Sequence, residues 1–152
     1  TEYWIRSRDD VVGLSEDELL DLQNDYTGSG LLVLLHQQHL DNFGVQISLA
    51  QKRVILPLLV HFLDHHGEDF TMGELAEHVW GATELDTSMR TKVKVAISRL
   101  RSLLGKRRNY VVTGRRQAEG KKSEVTYALA PRLDFRLVGL MGDEYCPVDL
   151  LE

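Results

Sequence analysis

Residues 91–110 read TKVKVAISRLRSLLGKRRNY, with seven Lys or Arg and no acidic residue, in a chain whose formal net charge is -5. Val93, Ile97, Leu100 and Leu104 recur at i, i+4, i+7 and i+11, the period of one buried stripe on an α-helix. Asp86 or Thr87 supplies the N-cap and Gly105 the stop, so the spacing predicts a helix over Thr87–Leu104. Thr91, Lys94, Val95, Ser98, Arg99 and Arg101 fall opposite the stripe, with Lys92 at its flank. Positive charge on this face alternates with small side chains.

The charge is segregated along the chain. Residues 1–50 hold two basic and nine acidic residues, residues 51–130 fourteen and nine, and residues 131–152 two and five. Within 87–122 there are twelve Lys or Arg and one acidic residue, Glu119. The mean charge is therefore a poor guide to partners. A charged helix face is often only solvated, but such a face usually mixes signs, because like charges one turn apart repel.

The 152 residues, 43% hydrophobic and 27% charged, describe a folded protein with one ordinary core. The longest apolar run, Val54 to Val60, is far too short to span a bilayer. No signal-peptide pattern opens the chain, and the single cysteine, Cys146, cannot build a disulfide framework. Cytoplasmic localisation, with no membrane partner, is the default expectation.

On either side of the basic helix the local signals are clear. Ser15 and Glu18 form one capping box, with Leu14 and Leu19 as its hydrophobic staple and a helix over Glu16–Asp25. Thr71 and Glu74 form another, with Phe70 and Leu75, ahead of a helix over Met72–Val79. LLVLLHQQHL and VQISL read as two strands joined by DNFG. Apolar spacing from Gln51 to His66 predicts a helix in which Pro57 marks either a kink or an irregular first turn. After GKRRN, the arms YVVTG and EVTYALA flank a polar tip bearing Arg115, Arg116, Lys121 and Lys122, a basic β-hairpin. RLDFRLVGL alternates as a further strand before an acidic tail.

Helix, turn, basic helix and basic hairpin suit duplex DNA physically. A helix fits a major groove about 12 Å wide, Lys and Arg neutralise phosphates, and a hairpin arginine favours a narrow minor groove. ISLAQKRVILPLLVHFLDHHGEDFTMGELAEHVWG, RTKVKVAISRLRSLLG and the hairpin ending TYALAP resemble the C-terminal effector domain of OmpR/PhoB-type response regulators. The most specific elements are ELAEHVWG and AISRLRSLLG. The fold class implied is α+β, a winged helix-turn-helix: a three-helix core with N-terminal strands and a C-terminal β-hairpin wing. The resemblance covers about 45–131, leaving an acidic segment 1–44 and a strand with an acidic tail, 132–152.

The resemblance implies a bacterial, sequence-specific transcription regulator with double-stranded DNA as partner, no cofactor and no enzymatic activity. Val95 and Arg99 fall where the family reads bases. Arg90, Thr91, Lys92, Lys94, Ser98 and Arg101 fall on groove-facing or phosphate-facing sides. In the wing, Arg115 or Arg116 takes the minor-groove role, with Lys121 and Lys122 beside them. Ala82, Thr83 and Glu84 lie where the family contacts RNA polymerase, and dimeric binding to direct repeats is also implied. Trp80 is expected to be mostly core packing with an exposed edge. Thr91 stands where the family commonly has Arg, and residues 1–44 are too short for a phosphoacceptor receiver domain. A winged helix with unusual flanks and a fragment of a longer protein both remain open.

His61 and His65, one turn apart with His66 and Glu68 nearby, have metal-ligand spacing but no matching partner set, so no metal site is assigned; His36 and His39 fare no better. No nucleophile elbow, Walker loop, dinucleotide glycine pattern or zinc-protease helix is present. The rival function is a winged-helix interaction module, with weak or autoinhibited DNA binding, whose acidic flanks bind a protein partner.

Overall fold

The computed structural model describes residues 2–117, 120 and 122–147. The chain divides into two compact units, one formed by the residues up to Gln51 together with those from Leu133, the other by Lys52–Arg132. Among the described residues no helix is long and apolar enough to cross a membrane.

The first unit is a six-stranded sheet in the order β2-β1-β9-β3-β4-β5. Its strands are β1 (Tyr3–Arg6), β2 (Val11–Leu14), β3 (Leu31–Leu34), β4 (His39–Asn42), β5 (Val45–Ser48) and β9 (Phe135–Leu140). Neighbours are antiparallel except β3 and β9, which run parallel with Leu31 opposite Phe135. Strand β9 thus lies between β1 and β3, joining the N-terminal and C-terminal flanks in one sheet. Helix α1 (Glu16–Tyr26) lays Leu19 and Tyr26 against Ile5, Leu32, Leu34 and Val138. Leu14 joins the same cluster, and both halves of the Ser15–Glu18 capping box are made, at 3.0 and 3.2 Å.

One expected strand is two. LLVLLHQQHL breaks at a 3-10 turn, Leu35–Gln37, which ends with Gln38 in the left-handed region at φ 48°. β3 and β4 then pair antiparallel as a hairpin of their own, and Phe43 and Gly44 of DNFG join β4 to β5. A uniformly apolar run has no period to reveal such a reversal.

The second unit contains α2 (Ile55–Asp64), β6 (Phe70–Thr71), α3 (Met72–Trp80), α4 (Thr87–Leu104), β7 (Val111–Arg116) and β8 (Glu124–Leu129). This is the three-helix core and hairpin wing of a winged helix-turn-helix. Helix α2 is shorter than the expected Gln51–His66. It starts at Ile55, which puts Pro57 in the first turn, where a missing N–H leaves no helical hydrogen bond unmade. Leu58, Leu59 and Phe62 of α2, Leu75 and Ala76 of α3, and Val93, Ile97, Leu100 and Leu104 of α4 are all buried. Both bonds of the Thr71–Glu74 box form, at 2.9 and 3.2 Å. Gly81 closes α3 at φ 66°, a left-handed cap that favours glycine. Strand β6, only two residues long, extends the wing into a three-stranded sheet, β6-β8-β7.

Candidate nucleic-acid interface

Helix α4 begins where Asp86 Oδ1 accepts the Met89 N–H at 2.8 Å and ends at Gly105, whose N–H bonds to Arg101 O and Ser102 O. Its apolar stripe, widened by Ala96, is buried. That leaves Arg90, Thr91, Lys92, Lys94, Val95, Ser98 and Arg99 exposed. Val95 is 40% exposed, an apolar side chain at the centre of a cationic face. Thr91 turns its hydroxyl back to Thr87 O at 3.1 Å. Among the described residues, Lys92, Lys94 and Arg99 form no salt bridge, so their charge faces solvent.

Beyond Gly105 a 3-10 turn, Gly105–Tyr110, exposes Lys106, Arg107 and Arg108 beside the end of the helix. These three entered the sequence reading as charge without a role. Their signal was the cluster GKRRN itself, directly downstream of the groove-facing helix.

The wing divides its cations. Arg115 is exposed and donates from Nη1 to Ser123 Oγ at 3.2 Å, across the hairpin. Lys122 is exposed, and Lys121 lies outside the described residues. Arg116 points elsewhere: Nη1 reaches Glu74 Oε1 at 2.7 Å, and Nη2 reaches Asp69 Oδ1 at 3.0 Å and Asp69 O at 2.9 Å. The Arg116 guanidinium holds the Asp69 carboxyl below the usual carboxylate range. Partial burial pushes the Glu74 carboxyl up, but the Thr71 N–H and Arg116 outweigh it and bring it below that range too.

Arg101 is likewise engaged within the protein. Its Nε and Nη2 donate to Val111 O at 3.3 and 2.9 Å, Nη2 also donates to Thr113 Oγ1 at 2.6 Å, and the guanidinium lies 5.8 Å from the centre of the Tyr127 ring. The sequence reading put Arg101 opposite the buried stripe, but residue 101 follows Ile97 by four and precedes Leu104 by three, which sets it at the edge of that stripe and turns it toward β7. The base of the wing is closed by the Ala130 N–H on Tyr110 O at 2.8 Å, with Arg132 over the Tyr110 ring at 5.0 Å.

Between α3 and α4, Ala82 is half-buried while Thr83 and Glu84 are exposed, and Trp80 is half-buried at the end of α3. The histidines group differently from the sequence reading. The His61 ring lies 4.5 Å from His65 and 5.2 Å from His78, packed on Phe70, and His66 instead bonds to Ala130 O. Burial, reinforced by His65 and His78, lowers the His61 pKa to about 4. Among the described residues no set of three or more His, Cys, Asp or Glu is arranged to hold a metal ion.

The arrangement is a helix with one solvent-facing cationic side, flanked by a cationic turn and a hairpin carrying Arg115 at its surface. A family model described as "Transcriptional regulatory protein, C terminal" matches residues 46–118, from β5 through α4 and β7. No curated protein and no solved structure matches the chain.

Proposed function

We propose that this protein reads a specific sequence in double-stranded DNA with α4 in the major groove, as the match of residues 46–118 to the C-terminal domains of transcriptional regulators, OmpR/PhoB-type winged helices that bind DNA, supports. The observation that carries the reading is the outer face of α4, where Lys92, Lys94, Val95, Ser98 and Arg99 are all exposed while the opposite stripe is fully buried. A helix so oriented can enter a groove without disturbing its own core.

Arg99 has the fork that matches guanine acceptors, and Val95 offers apolar contact to a thymine methyl. Arg90, Lys92 and Lys94, with the Thr91 and Ser98 hydroxyls, are suited to phosphates, which give affinity without sequence information. In the wing, Arg115 takes the minor-groove role, with Lys122 near the backbone. Thr83 and Glu84, with Ala82, form the surface offered to RNA polymerase, and two copies bind direct repeats in the cytoplasm. The family is a DNA-binding one, and catalysis has no part in this reading.

The test is fluorescence-anisotropy binding to a pool of random duplexes at two salt concentrations, with sequencing of the retained DNA. Salt-dependent binding that enriches one motif supports the proposal. Binding that enriches nothing, or no binding at low salt, counts against it.

A second reading rests on α1, whose Glu16, Asp17, Glu18, Asp21 and Asp25 are all exposed. Here the protein is an interaction module with weak or autoinhibited DNA binding, in which the acidic helix engages a protein partner. Neutralising Glu16, Asp17 and Asp21 to Gln, Asn and Asn leaves the Ser15–Glu18 cap intact. Unchanged affinity for DNA and for candidate partners would remove this reading.

A further inference from the structure

We infer that Arg116 is a positioning residue, which fixes the wing to the start of α3 through Asp69 and Glu74 and so sets the offset between Arg115 and the recognition helix. The inference rests on the DNA-binding reading for its consequence, but not for its geometry.

Arg116 is the last residue of β7, an edge strand of the β6-β8-β7 sheet. Its guanidinium reaches across to Asp69, immediately before β6, and to Glu74 in the first turn of α3. Three hydrogen bonds, at 2.7, 2.9 and 3.0 Å, hold the fork to two carboxylates and one backbone carbonyl. The Glu74 oxygen that accepts from Arg116 also accepts the Thr71 N–H at 2.9 Å. One atom therefore joins the wing to the helix cap. At the other end of β7, Arg101 of α4 holds Val111 O and Thr113 Oγ1. The strand is tied at its start to α4 and at its end to α3, the two helices of the helix-turn-helix.

The three side chains of the Arg116 network are only partly covered, with relative exposures of 41% for Arg116, 48% for Asp69 and 39% for Glu74. Exposed pairs add little to global stability, so the network acts on the pitch of the hairpin. A guanidinium already committed to two carboxylates would have to give both up to reach a phosphate or a groove. Among the described residues Arg115 bears no such commitment.

The experiment compares the full chain with Arg116→Gln, Asp69→Asn and Glu74→Gln, the last chosen because glutamine still serves the capping box. Amide hydrogen exchange without DNA comes first. Exchange at Thr113–Arg116 and Val125–Tyr127 is expected to quicken in all three variants, with global unfolding little changed. Unaltered exchange would overturn the inference whatever happens on DNA. The second arm measures binding to the selected duplex and to random duplex across a salt series. Loss of the network is expected to cut the preference for base pairs on the wing side by about three- to tenfold, the scale of coupled neighbours, in Asp69→Asn as in Arg116→Gln. The salt slope should stay the same. A direct phosphate contact predicts the reverse: a slope shallower by about one for Arg116→Gln and tighter binding for Asp69→Asn, since an anion is removed. That pattern also overturns the inference. If the wild type binds no DNA, the functional reading fails, and hydrogen exchange alone decides whether the network holds the wing.

Discussion

Trp4 and Gly139 are directly opposed in the β1–β9 ladder, and the indole Cζ2 lies 2.6 Å from where a Cβ on residue 139 would stand. The ring occupies the space a side chain would need, while its Nε1 donates to Leu140 O and Asp143 Oδ1 at 3.1 and 3.3 Å. Gly139→Ala must displace a buried aromatic that is itself anchored through its Nε1. We expect a loss of about 1–3 kcal/mol, the usual range for overpacking, read as a lower denaturation midpoint. Unchanged stability would show that the indole can shift without cost.

On DNA, Arg99 and Arg101 are expected to part company although they are two residues apart. Arg99→Ala should relax base preference at one position, at about 1–3 kcal/mol, with the fold intact. Competition between the selected duplex and single-base variants is the measurement. Equal losses on cognate and random DNA would contradict base reading by Arg99.

Arg101→Ala, by contrast, is expected to act on the protein itself. It leaves Val111 O and Thr113 Oγ1 without their donor, at a cost of about 1–2 kcal/mol for a partly exposed charged bond. Arg101→Lys should not restore it, because the contact to Val111 O uses Nε and Nη2 together. Thermal melts of both variants without DNA decide; wild-type stability in the lysine variant would mean that only charge matters there.

The histidine cluster predicts acid sensitivity. With a folded pKa near 4 against an ordinary 6.5, His61 is neutral in the folded protein where the unfolded chain is already protonated. Unfolded chain therefore binds more protons between those values, and stability falls as the pH drops from about 6.5 to about 4. After allowance for solvent screening the loss is about 1–2 kcal/mol. His61→Phe should flatten that part of the profile, measured by denaturant titrations at pH 7, 5.5 and 4. An unchanged slope would place the acid response elsewhere.

Thr71→Ala is expected to cost about 1 kcal/mol, as the loss of an N-cap does, whereas Thr71→Ser should be nearly neutral. Circular dichroism melts of the two variants make the comparison. Equal losses would point to the threonine methyl instead of its hydroxyl.

The sequence made α4 legible to its last residue because three signals agree there: the Val93–Leu104 stripe, the Asp86 cap and the Gly105 stop. Both capping boxes were visible because their partners are three residues apart. The engagement of Arg116 was harder. Arg115 and Arg116 are adjacent and chemically identical, and what separates them is Asp69, 47 residues away. Strand β9 was legible as a strand, through the alternation of Leu133, Phe135 and Leu137 with Arg132, Asp134 and Arg136, but not its place. Its neighbours β1 and β3 are more than a hundred residues upstream, and no local period carries that information. Val138 is buried as well, as a strand covered on both faces allows.

The position of β9 fixes the order in which this chain can fold as it leaves the ribosome. Strands β1 and β3 emerge early, each with one ladder still open, and the strand that fills the gap is made only after the whole of Lys52–Arg132. During that interval two unpaired edges are exposed to any other extended chain. The helices and wing of Lys52–Arg132, which find their hydrogen-bonding partners among themselves, can be complete before the first fifty residues close. A released chain that ends at residue 132 should thus carry a formed winged helix and an open sheet.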